Sequence, residues 1–292
     1  MSIECLAAGF GLIEGPLWLA ERGLLFSDVL NGGVFCLGHD GQVTSEFEHR
    51  RGIGGMALHV DGGLIVSGRN ISFKPFGKGA TQTVLEQNPA ANIVGFNDLT
   101  TDATGRIYAG SLATSPVFGA EVAPQAGDLW LIDLDGTSRI VSHEIWLTNG
   151  LGFAPDGRTL YHCDSRVHTV WRYAVAENGD LGRKHLFVKI ERGLPDGLVV
   201  AMDGSVWVAL AGGGHGVVVF DRQGKERDFI RIPEPMCTSL CFGGEDLRSL
   251  YIVSGSDGAD SQRAGAVYRL RVDVVGVPVA PARVRLPGER PR

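Results

Sequence analysis

No stretch of roughly twenty apolar residues occurs in this chain, so no membrane-spanning helix is expected. The start, Met1 to Ala8, lacks the basic flank and apolar centre of a secretion signal. Cysteine is sparse and odd in number: Cys5, Cys36, Cys163, Cys237 and Cys241 fit no disulfide framework. Reduced thiols and a cytoplasmic location are the expectation. Cys237 and Cys241 have no His pair to complete a zinc site, so they read as buried structural residues. Basic clusters are also missing. With 27 Lys and Arg against 33 Asp and Glu, scattered along a chain of net charge −6, no nucleic-acid groove is expected. The eight His residues show no His-x-x-x-His pair, and no Gly-x-Ser-x-Gly elbow occurs, which argues against zincin-type and serine-nucleophile hydrolases. Gly212 to Gly214 precede neither a Lys nor a helical pattern, so they form no phosphate loop.

What is present is glycine and short apolar runs. The 42 Gly residues, with few 3.6-period patterns, favour many short strands over helices. The clearest unit runs from Gly193 to Ala209. Leu198 to Met202 and Ser205 to Ala209 flank Asp203-Gly204, and the pattern reads as a hairpin in which the Asp-Gly pair supplies positive φ angles. Similar turns recur at Glu21-Arg22, Asp61-Gly62, Thr104-Gly105, Asp156-Gly157 and Glu245-Asp246. Each precedes a short apolar strand. At the same offset before each turn stand Glu14, Gly54, Asn97, Asn149, Asp196 and Thr238, at intervals of about 40 to 50 residues. Six strand-rich repeats predict an all-β, six-bladed propeller, four antiparallel strands per blade, as one domain over residues 1–292. The run Ser2 to Ala8 is expected to close the ring by pairing with the tail after Gly276.

The innermost strand of each blade would begin at one face of the disc. The six marked positions then surround one end of the central channel. Four of them, Glu14, Asn97, Asn149 and Asp196, carry side-chain oxygen, with Thr238 a potential fifth. A single such residue would normally serve local backbone. Four at one offset suit a hard-oxygen cage for one divalent cation, Ca²⁺ first, with Zn²⁺, Mn²⁺ or Mg²⁺ as alternatives.

The ordered segments Ile13 to Trp18, Gly95 to Asp98, Thr148 to Leu151 and Leu194 to Leu198 resemble the regucalcin/gluconolactonase family of six-bladed propellers, and Thr238 to Gly244 adds to the likeness. The resemblance spans about Gly11 to Ala266. It implies that Glu14, Asn149 and Asp196 bind the cation. Asn97 would lie on the metal through water or on the substrate, and Asp196 would serve as general base or, alternatively, attack the carbonyl directly as nucleophile. The implied activity is metal-dependent hydrolysis of a small-molecule lactone or related ester, with no nucleic-acid or membrane partner. A non-catalytic calcium- or ligand-binding propeller and a phosphotriesterase-like hydrolase are the alternatives. The oligomeric state stays open.

The sequence also departs from the sugar-lactone pattern. Gly95 stands where those members carry Arg, and Ser115 where they carry an acidic contact. Pocket walls are expected from residues 69–80, 112–127, 211–216 and 254–265. Phe96, Phe118 and His215 are the expected substrate contacts, so the substrate would be more apolar than a sugar lactone. Asp28, Asp98 and Asp164 serve either the site or local backbone. Trp18, Trp130, Trp171 and Trp207 read as packing between blades.

Overall fold

The computed structural model describes residues 2–48, 50–116, 123–259 and 262–288. Six four-stranded antiparallel sheets follow one another along the chain and form a six-bladed β-propeller. Blade 1 contains Ile13–Leu19, Gly23–Asp28, Val34–Leu37 and Val43–Phe47. The innermost strands of blades 2 to 6 are Met56–His59, Gly95–Thr101, Thr148–Phe153, Leu194–Val200 and Met236–Gly243. Each touches the innermost strands of its neighbours, and blade 6 returns to blade 1. Among the described residues the only helical turns are two short 3-10 segments, Pro89–Ala91 and Ser165–Val167, and no helix is long and apolar enough to cross a membrane.

The hairpin turns obey the glycine logic with one difference. In Asp203-Gly204, only Gly204 takes positive φ, at 81°. Asp203 stays out of the left-handed region, and its Oδ1 accepts hydrogen bonds from Ser205 N and Oγ at 2.9 and 2.6 Å. The aspartate fixes the turn by side-chain bonding, and the chain needs one left-handed residue rather than two.

Alternating apolar residues on both sheet faces meet between blades, where they form a ring of buried clusters. Trp18 stacks on Tyr251 of blade 6 at 5.2 Å, and Trp207 packs edge-on against Phe242 at 5.7 Å. These rings join blades, as their strand positions imply.

The N-terminal strand closes the ring, as expected from the sequence, but with a different partner. Glu4–Phe10 becomes the outermost strand of blade 6 and pairs with Gly265–Arg271, Glu4 facing Arg269 and Phe10 facing Gly265. The tail after Gly276 is not its partner. Pro278 and Pro281 remove two backbone donors from that tail, which disfavours a regular ladder. The tail instead crosses the face opposite the marked residues. Val277 N donates to Val200 O at 2.9 Å, Ala282 N to Leu58 O at 2.7 Å and Arg283 N to Gly105 O at 2.9 Å. Ala282, Val284 and Leu286 are buried against the cluster between blades 2 and 3.

Candidate active site

Every innermost strand except that of blade 2 breaks register at the same place. The irregularities fall between Glu14 and Leu17, Phe96 and Leu99, Thr148 and Leu151, Pro195 and Leu198, and Cys237 and Ser239. These intervals bracket or abut Glu14, Asn97, Asn149, Asp196 and Thr238. A bulge bends the strand and re-aims the side chain at that point. The repeat thus places one re-aimed residue per blade at the channel mouth. In blade 2 the position is Gly54, where an added Cβ would stand 2.6 Å from the Asn97 carbonyl and 2.8 Å from Asn97 Oδ1. Blade 2 therefore contributes space, which Asn97 fills.

The carboxamides are linked directly. Asn97 Nδ2 donates to Asn149 Oδ1 and to Thr148 O, both at 2.7 Å. Asn149 Nδ2 donates to Ser165 Oγ at 2.7 Å, and Ser165 Oγ donates to the Pro195 carbonyl. Blades 3, 4 and 5 are tied by one chain of hydrogen bonds ending beside Asp196. Ser165 was not found by sequence reasoning. Serines recur where second strands end, at Ser27, Ser67, Ser165 and Ser254, and Ser67 Oγ accepts from Gly54 N and Gly55 N. That recurrence was the available signal.

Asp196 is 5% exposed, and its Oδ1 has no hydrogen-bond partner. Burial raises its carboxyl well above the usual range, and the nearby Asp98 raises it further. Glu14 is likewise raised well above its usual range by burial, then by Asp196 and Asp98, against the Gly15 N–H that lowers it. Asp98 is pushed up to about 6 by burial, although its carboxylate accepts the Leu99 N–H at 2.7 Å. It serves local backbone and the charge balance of the site together. Acidic groups crowded out of water are stabilised in their charged form by a bound cation. An unpartnered carboxylate oxygen, a second carboxylate and adjoining carboxamides fit a hard divalent ion. Among the described residues no group of three His, Cys, Asp or Glu is placed to hold a metal, so the amides would have to complete the set.

The remaining expected residues divide clearly. Thr238 Oγ1 donates to the Ile13 carbonyl at 2.6 Å and is fully buried, so it joins blades 6 and 1 instead of facing an ion. Asp28 accepts from Gly11 N at 2.9 Å and Asn31 N at 3.0 Å; Asp164 accepts from Leu147 N at 2.9 Å. Both fix loop backbone. Phe96 is 1% exposed and packs in the cluster between blades 2 and 3, and it also borders the cavity beside Asn97. His215 is a half-buried turn residue at φ 56°, its N–H bonded to Pro235 O, away from the cavity beside Asn97. Phe118 lies outside the described residues.

That cavity measures about 600 Å³. Its wall includes Arg69, from the expected 69–80 segment, and residues 112–116, including Ser115. The segments 211–216 and 254–265 supply none of its described lining. Arg51, from the approach to blade 2, was not anticipated.

The sequence pattern of the SMP-30/Gluconolactonase/LRE-like region matches residues 12–256 of the chain. A 6-deoxy-6-sulfogluconolactonase of Pseudomonas putida is 32% identical over 275 residues, covering 90% of this chain and 92% of that one. A pentonolactonase of Haloferax volcanii is 31% identical, covering 94% and 95%. Among solved structures, the calcium-binding protein regucalcin of Agrobacterium tumefaciens superposes with a TM-score of 0.82 at 20% identity, covering 97% of each chain. That likeness bears on the fold.

Proposed function

The chain belongs to the SMP-30/gluconolactonase/LRE-like family, and from that premise we propose that it is a divalent-metal-dependent lactone hydrolase. Its relatives include lactonases that match nearly its whole length. Glu14, Asn149 and Asp196 would hold the cation, with Asn97 beside them. Ca²⁺ suits an all-oxygen set best, and Zn²⁺, Mn²⁺ and Mg²⁺ remain alternatives. When bound, such an ion supplies Lewis acidity toward a carbonyl oxygen and toward water.

The chain's own residues supply the proton traffic. Asp196 Oδ1, buried and unpartnered, accepts a proton from the attacking water as the water oxygen bonds the lactone carbonyl carbon. The ring C–O bond then breaks, and Asp196 returns the proton to the departing alkoxide. Asn97, held by Thr148 and Asn149, fixes the side of the site that faces the cavity. Val29, Val94, Leu112 and Pro116 line that cavity and support a substrate body more apolar than a sugar lactone. The observation that carries the proposal is the unpartnered Asp196 oxygen among Glu14, Asn149 and Asn97.

The test is hydrolysis of sugar, alkyl and aromatic lactones by chelator-stripped protein, before and after addition of Ca²⁺, Mn²⁺, Zn²⁺ or Mg²⁺. Metal-restored ring opening is expected. Metal binding that raises the melting temperature without turnover on any lactone would favour a non-catalytic ion-binding propeller. Turnover of phosphotriesters alone would assign the site to phosphotriester hydrolysis.

A further inference from the structure

The cavity beside Asn97 is apolar over much of its wall, yet two arginines, Arg51 and Arg69, help to line it. Both residues are exposed, and neither forms an ion pair with a described carboxylate. Among the described residues no Asp or Glu lines the cavity. Most other arginines with defined partners here are committed to carboxylates, as Arg139 is to Asp133 and Asp180. These two are not.

Arg69 is also positioned. Its neighbour Gly68 exchanges backbone hydrogen bonds with Phe96, Gly68 N to Phe96 O at 3.1 Å and Phe96 N to Gly68 O at 2.7 Å. That pairing sets Arg69 against the strand bearing Asn97. With the Gln87 carboxamide turned to satisfy both ends, its oxygen accepts from Arg69 Nε at 3.0 Å and its nitrogen donates to Val94 O at 3.1 Å. The Nε is thereby engaged, while the terminal guanidinium nitrogens have no described partner. Gly95 permits the close approach of the two segments: a Cβ there would stand 2.9 Å from Gly68 O and 3.8 Å from Arg69 Cα. Arg51 precedes Gly52, whose N–H is fixed to Val29 O at 3.1 Å.

We infer that Arg51 and Arg69 form an anion-reading subsite, so that the substrate is a lactone with a largely apolar body and one carboxylate, sulfonate or phosphate arm. A guanidinium matches the planar fork of a carboxylate and the tetrahedral oxygens of the other two. The anionic arm lies toward blade 2 and the reacting carbonyl toward Asn97. This inference rests on the lactonase reading for the identity of the ring, and on the cavity alone for the anion.

The probes are a γ-lactone bearing a carboxylate beside the ring oxygen, its sulfonate counterpart and its neutral carboxamide. Pyroglutamate and its amide serve as lactam analogues that do not open, their binding read by calorimetry. The metal-loaded protein is expected to favour an anionic lactone over the carboxamide by about tenfold to a hundredfold in kcat/KM, the scale of a charge-assisted hydrogen bond. Added salt should shrink that ratio. R51Q and R69Q should each collapse it, R69K should restore part of it, and R183Q, on a distant exposed position, should leave it unchanged. Equal kcat/KM for charged and neutral lactones, unaltered in R51Q and R69Q, overturns the subsite and leaves the lactonase reading standing. If no lactone is opened, the lactonase reading falls and the lactams decide the subsite. Tighter binding of pyroglutamate than of its amide, lost in R69Q, supports it; equal binding overturns it.

Discussion

Asn97 Nδ2 lies 2.7 Å from Asn149 Oδ1, so the third and fourth blades are joined by a carboxamide pair at the mouth of the channel. Asn149 passes the constraint on through Ser165 to the Pro195 carbonyl, one residue before Asp196. Residues from three blades are thus held as one unit, and disturbing any member should be felt by the others.

Ser165→Ala removes the acceptor for Asn149 Nδ2 and the donor to Pro195 O. A loss of ~1–3 kcal/mol in stability is expected for the groups left unsatisfied. Calcium affinity should weaken by roughly tenfold to a hundredfold, the usual effect of removing a residue that orients a ligand. Urea unfolding and calorimetric titration read the two effects separately. Unchanged affinity with lowered stability would confine Ser165 to a structural role.

Gly54→Ala would drive a methyl group onto the Asn97 carbonyl and side-chain oxygens. Overpacking of this kind costs ~1–3 kcal/mol, and here it displaces Asn97. The expected signature is a lower melting temperature together with reduced kcat/KM on the best lactone. Full activity in a stable G54A protein would show that Asn97 need not sit where it does.

His162 is buried, with Nδ1 unpartnered and Nε2 3.2 Å from Thr148 Oγ1. Burial, then Lys184, lowers its pKa from 6.5 to about 3. Below pH 6.5 the unfolded chain takes up a proton that the folded chain refuses until about pH 3. This group therefore leaves stability intact at neutral pH and withdraws about 1.4 kcal/mol per pH unit through that window. Urea melts at successive pH values should show the slope in the wild type and its reduction in H162Q. An identical slope in both proteins would remove His162 as the cause.

Leu286 is 3% exposed and belongs to the cluster between blades 2 and 3. Leu286→Ala should cost ~2–5 kcal/mol, as for other buried leucines. Thermal melting checks this, and a negligible shift would show that the tail is dispensable for the ring.

The propeller was legible because its unit is short and repeated. Turn pairs such as Asp61-Gly62 and Asp156-Gly157, with apolar strands after them, mark the blades without any long-range information. Glu14, Asn97, Asn149 and Asp196 shared an offset because each occupies the same strand position. What the offset could not reveal was the bulge there, since register depends on the partner strand. Thr238 shares the offset too, yet its hydroxyl turns to Ile13 O. Equal spacing places a residue at the channel mouth without choosing its hydrogen-bond partner. Arg51 escaped notice because it lies outside the connections between second and third strands. Phe96, an expected substrate contact, borders the cavity beside Asn97 but buries almost all of its ring in the cluster between blades 2 and 3.

The most direct measurement compares kcat for wild type and Asp196→Asn on the best lactone, at cation concentrations that calorimetry shows to be saturating for both. With Asp196 as base, kcat should fall by about 10²–10⁴ in the variant even when its site is loaded. A loaded D196N protein turning over at the wild-type rate would contradict the assignment of Asp196 as the base.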